Sequence, residues 1–213
     1  MKRSWLVCFA LKEEAAPFRR ITAGKPGVAV LVVGIGRQNA EKSLREYLSA
    51  HSPEFVFTCG FAGGLNSSLQ LGDVGFEVPS PPSEMQSLLL AAGAKPVNFF
   101  CANRIATTVA EKKKVREDTG ADAVEMESAA IHAVCREHGI PCATVRAISD
   151  TANEDLPLDF NALAKPDKNL DYGKLLAAIV RSPGKIGALL ALQKKTRFAA
   201  KQLAGVLGKI ISP

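Results

Sequence analysis

The sequence predicts a single α/β domain with a mixed central β-sheet flanked by helices, and three observations carry that prediction. Short apolar runs rich in β-branched and aromatic residues stand at 5–11, 28–33, 53–59 and 142–148, each bounded by turn residues. Between them lie segments with helical periodicity, notably 37–50 and 128–138, and alternation of the two patterns is the mark of an α/β fold. The third observation is length: 213 residues suffice for one well-buried domain and are short for two.

Composition narrows the class. Hydrophobic residues make up 47% and charged residues 23%, the balance of an ordinary globular chain rather than a disordered one. No run of 18 apolar residues is present, so no membrane-spanning helix is expected. The opening MKRSWLVCFALKEE passes directly from a brief apolar patch into charges, which reads as a first strand rather than a signal peptide. Five cysteines (8, 59, 101, 135, 142) form no CxxC pair and suit buried, reduced thiols in a cytoplasmic protein. The three histidines (51, 132, 138) show no ligand-like grouping, so neither a metal nor another cofactor is expected. The net charge of +6 is uneven, because residues 172–213 hold eight Lys/Arg and no acid, leaving net −2 on the first 171. The organisation expected is therefore a near-neutral body at 1–171 and a basic amphipathic helical segment at 172–213.

Taken in order, Trp5 to Leu11 is the first buried strand, emptying into Lys12-Glu13-Glu14 at the start of a helix, where the helix dipole favours acids. Residues 22–26 form a turn and 28–33 a second strand. Gly34-Ile35-Gly36 then opens a helix reaching about Ala50. This is not a dinucleotide fingerprint: Asn39 stands where the third glycine belongs, and no acid follows at the expected distance. A glycine turn that brings backbone close to a ribose or an anion is the better reading. Residues 53–59 form a third strand, and Gly60-Phe61-Ala62-Gly63-Gly64 reads as the loop after it, narrow enough for a flat base to lie against main chain.

Further along, GFEV (75–78) is a strand, PSPPSEM (79–85) a rigid polyproline-like loop, and 97–102 another strand. AEKKKVREDT (110–119) is a charged helix whose Lys112-Lys113-Lys114 reads as its solvated face, since Glu111, Glu117 and Asp118 interleave. Residues 128–138 form a helix ended by Gly139-Ile140-Pro141, and CATVRAI is a buried parallel strand. Ser149-Asp150 then falls at the carboxyl end of a central strand, where open α/β sheets hold ligands. After Asp150 the chain is loop-like to about 172, with Pro157 and Pro166 blocking long helices, and 173–181 and 185–211 read as amphipathic helices. For the last helix the expectation is that its first half packs on the body, while a basic stretch without acids also suits an anionic membrane surface.

VEMESAAI (124–131) followed by VRAISD (145–150) resembles the nucleoside phosphorylase/nucleosidase superfamily, and in particular its 5'-methylthioadenosine/S-adenosylhomocysteine nucleosidases. ALKEEAAPF (10–18), VVGIGRQNA (32–40) and TCGFAGGLNSSLQLGDV (58–74) match in the same order, so the resemblance covers most of 5–155. It implies a phosphorylase/hydrolase-like fold and N-glycosidic chemistry on a purine nucleoside, performed as a homodimer or larger homo-oligomer. By motif match, Glu14 activates the attacking water, and Glu127 binds the ribose hydroxyls with Met126 packed on the sugar face. Phe61, Ala62 and Gly63 lie beside base and ribose, and the loop around Ile105 closes over the base. Phe61 departs from the family, replacing a small hydroxyl residue.

The chemistry asks for a proton on the departing adenine, which Asp150 supplies at N7 if burial keeps it protonated near neutrality. Glu125 and Arg146 are expected to form a supporting charge pair, and Ser149 to orient Asp150. Superfamily phosphorylases bind phosphate with arginines and a Gly-Asp loop after the first strand. Leu11-Lys12-Glu13-Glu14 stands there instead, which favours water over phosphate as nucleophile. The segment ATTVAEKKK (106–114), the short length and the basic tail also resemble hopanoid-associated members, which act on adenosine attached to a large lipid. Three alternatives stand beside the hydrolase reading. They are a phosphate-dependent phosphorylase, a non-catalytic nucleoside-binding module, and nucleic-acid binding through the tail. The last is disfavoured because Phe198 is the only aromatic after Tyr172.

Overall fold

A computed structural model describes residues 4–78, 84–162 and 183–211. Residues 79–83 of the expected polyproline-like loop and the helix expected at 173–181 lie outside these residues. Among the described residues, eight strands form one sheet: β1 (Trp5–Phe9), β2 (Val28–Val32), β3 (Phe55–Gly64), β4 (Val74–Glu77), β5 (Lys95–Pro96), β6 (Phe99–Cys101), β7 (Ala123–Glu125) and β8 (Cys142–Asp150). The helices are α1 (Lys12–Thr22), α2 (Arg37–Leu48), α3 (Glu84–Ala92), α4 (Val109–Thr119), α5 (Ser128–Glu137) and α6 (Ile186–Ile211). The strand order is β2-β1-β3-β8-β4-β5, with β7 pairing the far end of β3 and β6 pairing β7. Strands β2, β1, β3 and β8 run parallel, and β4 lies antiparallel to β8, so the sheet is mixed as expected.

Every residue of β8 is buried, as a strand covered on both faces must be, and it is flanked by β3 and β4. One core face packs Phe9, Phe18, Phe57 and Val145 against Leu203 and Leu207 of α6; the other packs Leu6, Leu44 and Val56 against Ile131 and Val134 of α5. Cys8, Cys59, Cys135 and Cys142 are buried and unbridged within these layers.

Several elements differ from expectation. The GFAGG segment is not a loop but the second half of β3, because β8 and β7 offer it partners on both sides. A register shift between Ala62 and Gly63 bends it there. The strand expected at 97–102 is the shorter β6, which joins β7, and β5 just before it, which joins β4, was not anticipated. Helix α3, whose Met85, Leu89 and Ala92 are buried at helical spacing, and the short strand β7 were not anticipated. Helix α6 is also reversed from expectation, for its second half (Ala199–Ile210) is buried in the core while Ile186 and Leu190 of its first half are 45% and 55% exposed. Among the described residues, no helix is long and apolar enough to cross a membrane.

Candidate active site

The carboxyl ends of β1, β3 and β8 open on a cavity of about 260 Å³. Among the described residues, four carboxylates line it: Glu14, Glu125, Glu127 and Asp150. Glu14 sits at the third position of α1 and accepts from Leu11 N at 2.9 Å and from Phe61 N at 3.0 Å. The first of these bonds ties the helix start, and the second ties it to β3. Glu127 precedes α5 and accepts from Gly36 N at 2.8 Å. The anion that the Gly34–Gly36 turn approaches is therefore the protein's own carboxylate. Gly36 adopts φ +83°, a conformation costly for residues with a Cβ. Asp150 ends β8, and its Oδ1 accepts from Ser149 Oγ at 2.7 Å.

Arg146, fully buried on β8, gathers the acids. Its Nη1 meets Glu127 at 3.1 Å, and its Nη2 meets Glu125 at 2.6 Å and Thr58 Oγ1 at 3.1 Å. Glu125 also accepts from the Glu127 and Ser128 amides and from Ser128 Oγ, which fixes the entry into α5. Gly60 makes room for this cluster: a Cβ there would stand 2.8 Å from Arg146 Nη1 and 2.9 Å from Glu14 Oε1. Gly60 and Gly63 therefore admit charged side chains from α1 and β8.

The electrostatics separate the carboxyls. Burial pushes the Glu14 carboxyl up to about 7, with Arg146 opposing. Glu127 is likewise raised by burial, whereas Glu125 is held low because Arg146 and the Ser128 and amide bonds outweigh its burial. Such opposed settings of neighbouring acids are the pattern of acid–base chemistry.

The remaining residues singled out from the sequence also reach this cavity. Phe61, Ala62 and Gly63 line one wall, Met126 another, and Arg104, Ile105 and Ala106 a third. Asn161 holds the last of these walls by bonding Ile105 N and Ile105 O, both at 2.9 Å. Leu156, Phe160, Leu192 and Thr196 make an apolar side that the sequence did not identify. A more consequential omission is Lys112. Expected on a solvated face, it is fully buried, and its Nζ lies 2.7 Å from Asp150 Oδ2. Lys113 and Lys114 do face solvent. Among the described residues, no group of three or more His, Cys, Asp or Glu is arranged to hold a metal ion.

The profile of the phosphorylase superfamily matches residues 95–182. A 5'-methylthioadenosine/S-adenosylhomocysteine nucleosidase of Glaesserella parasuis serovar 5 (strain SH0165) is 30% identical over 166 residues, spanning 63% of this chain and 72% of that protein. This chain belongs to the phosphorylase superfamily. A second nucleosidase of the same name, from Shewanella halifaxensis (strain HAW-EB4), is 28% identical over 65% of this chain and 74% of its own length. Among solved structures, the futalosine hydrolase of Helicobacter pylori strain 26695 superposes with TM-score 0.73 at 16% identity, over 99% of this chain and 98% of that one. The 5'-methylthioadenosine/S-adenosyl homocysteine nucleosidase of Helicobacter pylori does so with TM-score 0.71 at 17% identity and the same coverage. These two share the superfamily fold with the present chain. Within the superfamily, this chain's enzyme class is that of the N-glycosyl hydrolases.

Proposed function

We propose that the protein hydrolyses the N-glycosidic bond of a 5'-substituted adenosine, releasing free adenine. The observation that carries this reading is the convergence of Glu14, Glu127 and Asp150 on one cavity, with the Glu14 carboxyl at about 7. A base that titrates near neutrality is suited to taking a proton from water at the pH where the enzyme works. In this reading Glu14 activates water on one face of C1', while Glu127 binds the ribose 2'- and 3'-hydroxyls and stabilises the oxocarbenium character that develops. Met126 packs on the sugar. Asp150, steadied by Ser149, delivers a proton to N7 of the departing base.

The 5'-substituent would point along the apolar side made by Leu156, Phe160 and Leu192. The nucleosidases named above act on methylthioadenosine and adenosylhomocysteine, and the same substrates are proposed here. A larger apolar group, such as the lipid of a lipid-linked adenosine, is favoured by one further observation. Leu192 belongs to the half of α6 that exposes Ile186 and Leu190, with Lys194 and Arg197 on the same stretch. This half would then rest on the anionic membrane carrying the substrate.

The test is adenine release from adenosine, methylthioadenosine, adenosylhomocysteine and a 5'-alkyl adenosine presented in anionic vesicles. The expected result is release whose kcat/KM rises with the apolar 5'-group relative to adenosine. No release from any of them, with saturable nucleoside binding retained, would instead identify a binding module.

A further inference from the structure

The placement of Lys112 bears on how the leaving base obtains its proton. A lysine buried without water must have each of its ammonium N–H groups paired. Lys112 meets that condition in full: its Nζ pairs with Asp150 Oδ2 at 2.7 Å and donates to Thr151 O at 2.7 Å and Glu154 O at 2.8 Å. Helix α4 carries it there, and the loop after β8 wraps it with two carbonyls. The other charged groups nearby are engaged elsewhere. Glu154 turns its carboxylate to Thr151 N and to Lys195 of α6. On α4, Glu111 faces Thr107 and Arg104, and Arg116 faces Asp122.

The consequence for Asp150 is that both its oxygens are occupied by protein donors, Ser149 Oγ on Oδ1 and the ammonium on Oδ2. A carboxylate accepting on both sides has no proton of its own to pass on. Of its two donors, serine would have to become an alkoxide, whereas lysine becomes a neutral amine.

We propose, on the nucleosidase reading above, that Lys112 acts through Asp150: the proton given to N7 of the departing base comes from its ammonium by way of the Asp150 carboxyl. As the C1'–N9 bond breaks, its electron pair goes to the base. Nζ gives a proton to the Asp150 carboxylate, and Asp150 passes it on to N7. The two N–H groups left on the amine remain on Thr151 O and Glu154 O. Water adds at C1' and its proton goes to Glu14. After the products leave, Glu14 loses that proton and Lys112 regains one by exchange with solvent, so nothing else is consumed. Lys112 is thus a positioning and proton-supplying residue behind the acid, and it never touches substrate.

The test compares wild type, Lys112→Met and Lys112→Arg for adenine release across pH, with thermal unfolding measured alongside. Methionine keeps the buried stem without the charge. If it does not fold, Lys112→Gln takes its place. The expected result for a folded variant is kcat lower by about 100-fold with KM changed less than about threefold. Arginine keeps a cation but does not release its proton at working pH, so Lys112→Arg stays slow. A variant with wild-type kcat and pH profile overturns the proposal. Full restoration by arginine overturns it too, because a fixed charge would then suffice. Should wild type release base from no nucleoside, the nucleosidase reading fails first and this assignment falls with it.

Discussion

Replacing Glu14 by glutamine lowers kcat for base release by about 10²- to 10⁴-fold, because no carboxylate is left to take the proton of the attacking water. The pH profile identifies the group more specifically than the loss does. Glu14 is raised from 4.5 to about 7 by burial, and it must be ionised to act as base. Wild-type kcat/KM should therefore climb with pH through about 7 and level off above it, and the variant should lack that limb. Stability moves the opposite way. A carboxyl whose folded value is raised contributes stability that is fully present below its unfolded value and is lost as pH rises through the folded one. The interval of 4.5 to about 7 corresponds to about 3 kcal/mol at most, lost by wild type and not by Glu14→Gln. Glutamine offers one carbonyl to the Leu11 and Phe61 amides where the carboxylate offers two oxygens, which offsets part of that gain. Thermal unfolding at pH 4 and pH 8.5, on either side of that interval, measures it. A variant more stable than wild type at the higher pH alone is the expected outcome.

The second large effect concerns Arg146. Arg146→Met leaves Glu125 and Glu127 buried without their common cation, and the variant should lose about 3–5 kcal/mol. The loss is greatest at alkaline pH, where both carboxylates and Glu14 are charged, and shrinks as acid protonates them. Arg146→Lys restores only part, since an ammonium cannot span Glu127, Glu125 and Thr58 as a planar fork does. Urea unfolding at two pH values tests both statements. An unchanged midpoint in Arg146→Met would mean that the acids do not depend on this cation.

Much of this arrangement was legible in the sequence, and the reasons differ by residue. Strand β8 declares itself by an apolar run broken only by Arg146, and a buried arginine needs acids, which VEME supplies nearby. Glu14 was singled out by its match to the family motif, since its place after β1 alone suits any acid at a helix start. What escaped is what depends on distant partners. Lys112 has charged neighbours along the chain, and nothing local distinguishes it from Lys113; only the fold brings Asp150 to it. GFAGG was misread because glycines signal turns, whereas here they let Arg146 and Glu14 crowd against a continuing strand. Helix α6 was misjudged by half, since both halves carry apolar residues and only the second meets the core of α1 and β8.

The central claim is that water, activated by Glu14, is the nucleophile. The most direct measurement is adenine release from methylthioadenosine with phosphate omitted and then supplied, with the sugar product followed by phosphorus NMR. The account predicts a rate indifferent to phosphate and a free 5'-substituted ribose. Release only when phosphate is present, with a ribose 1-phosphate as product, would contradict it.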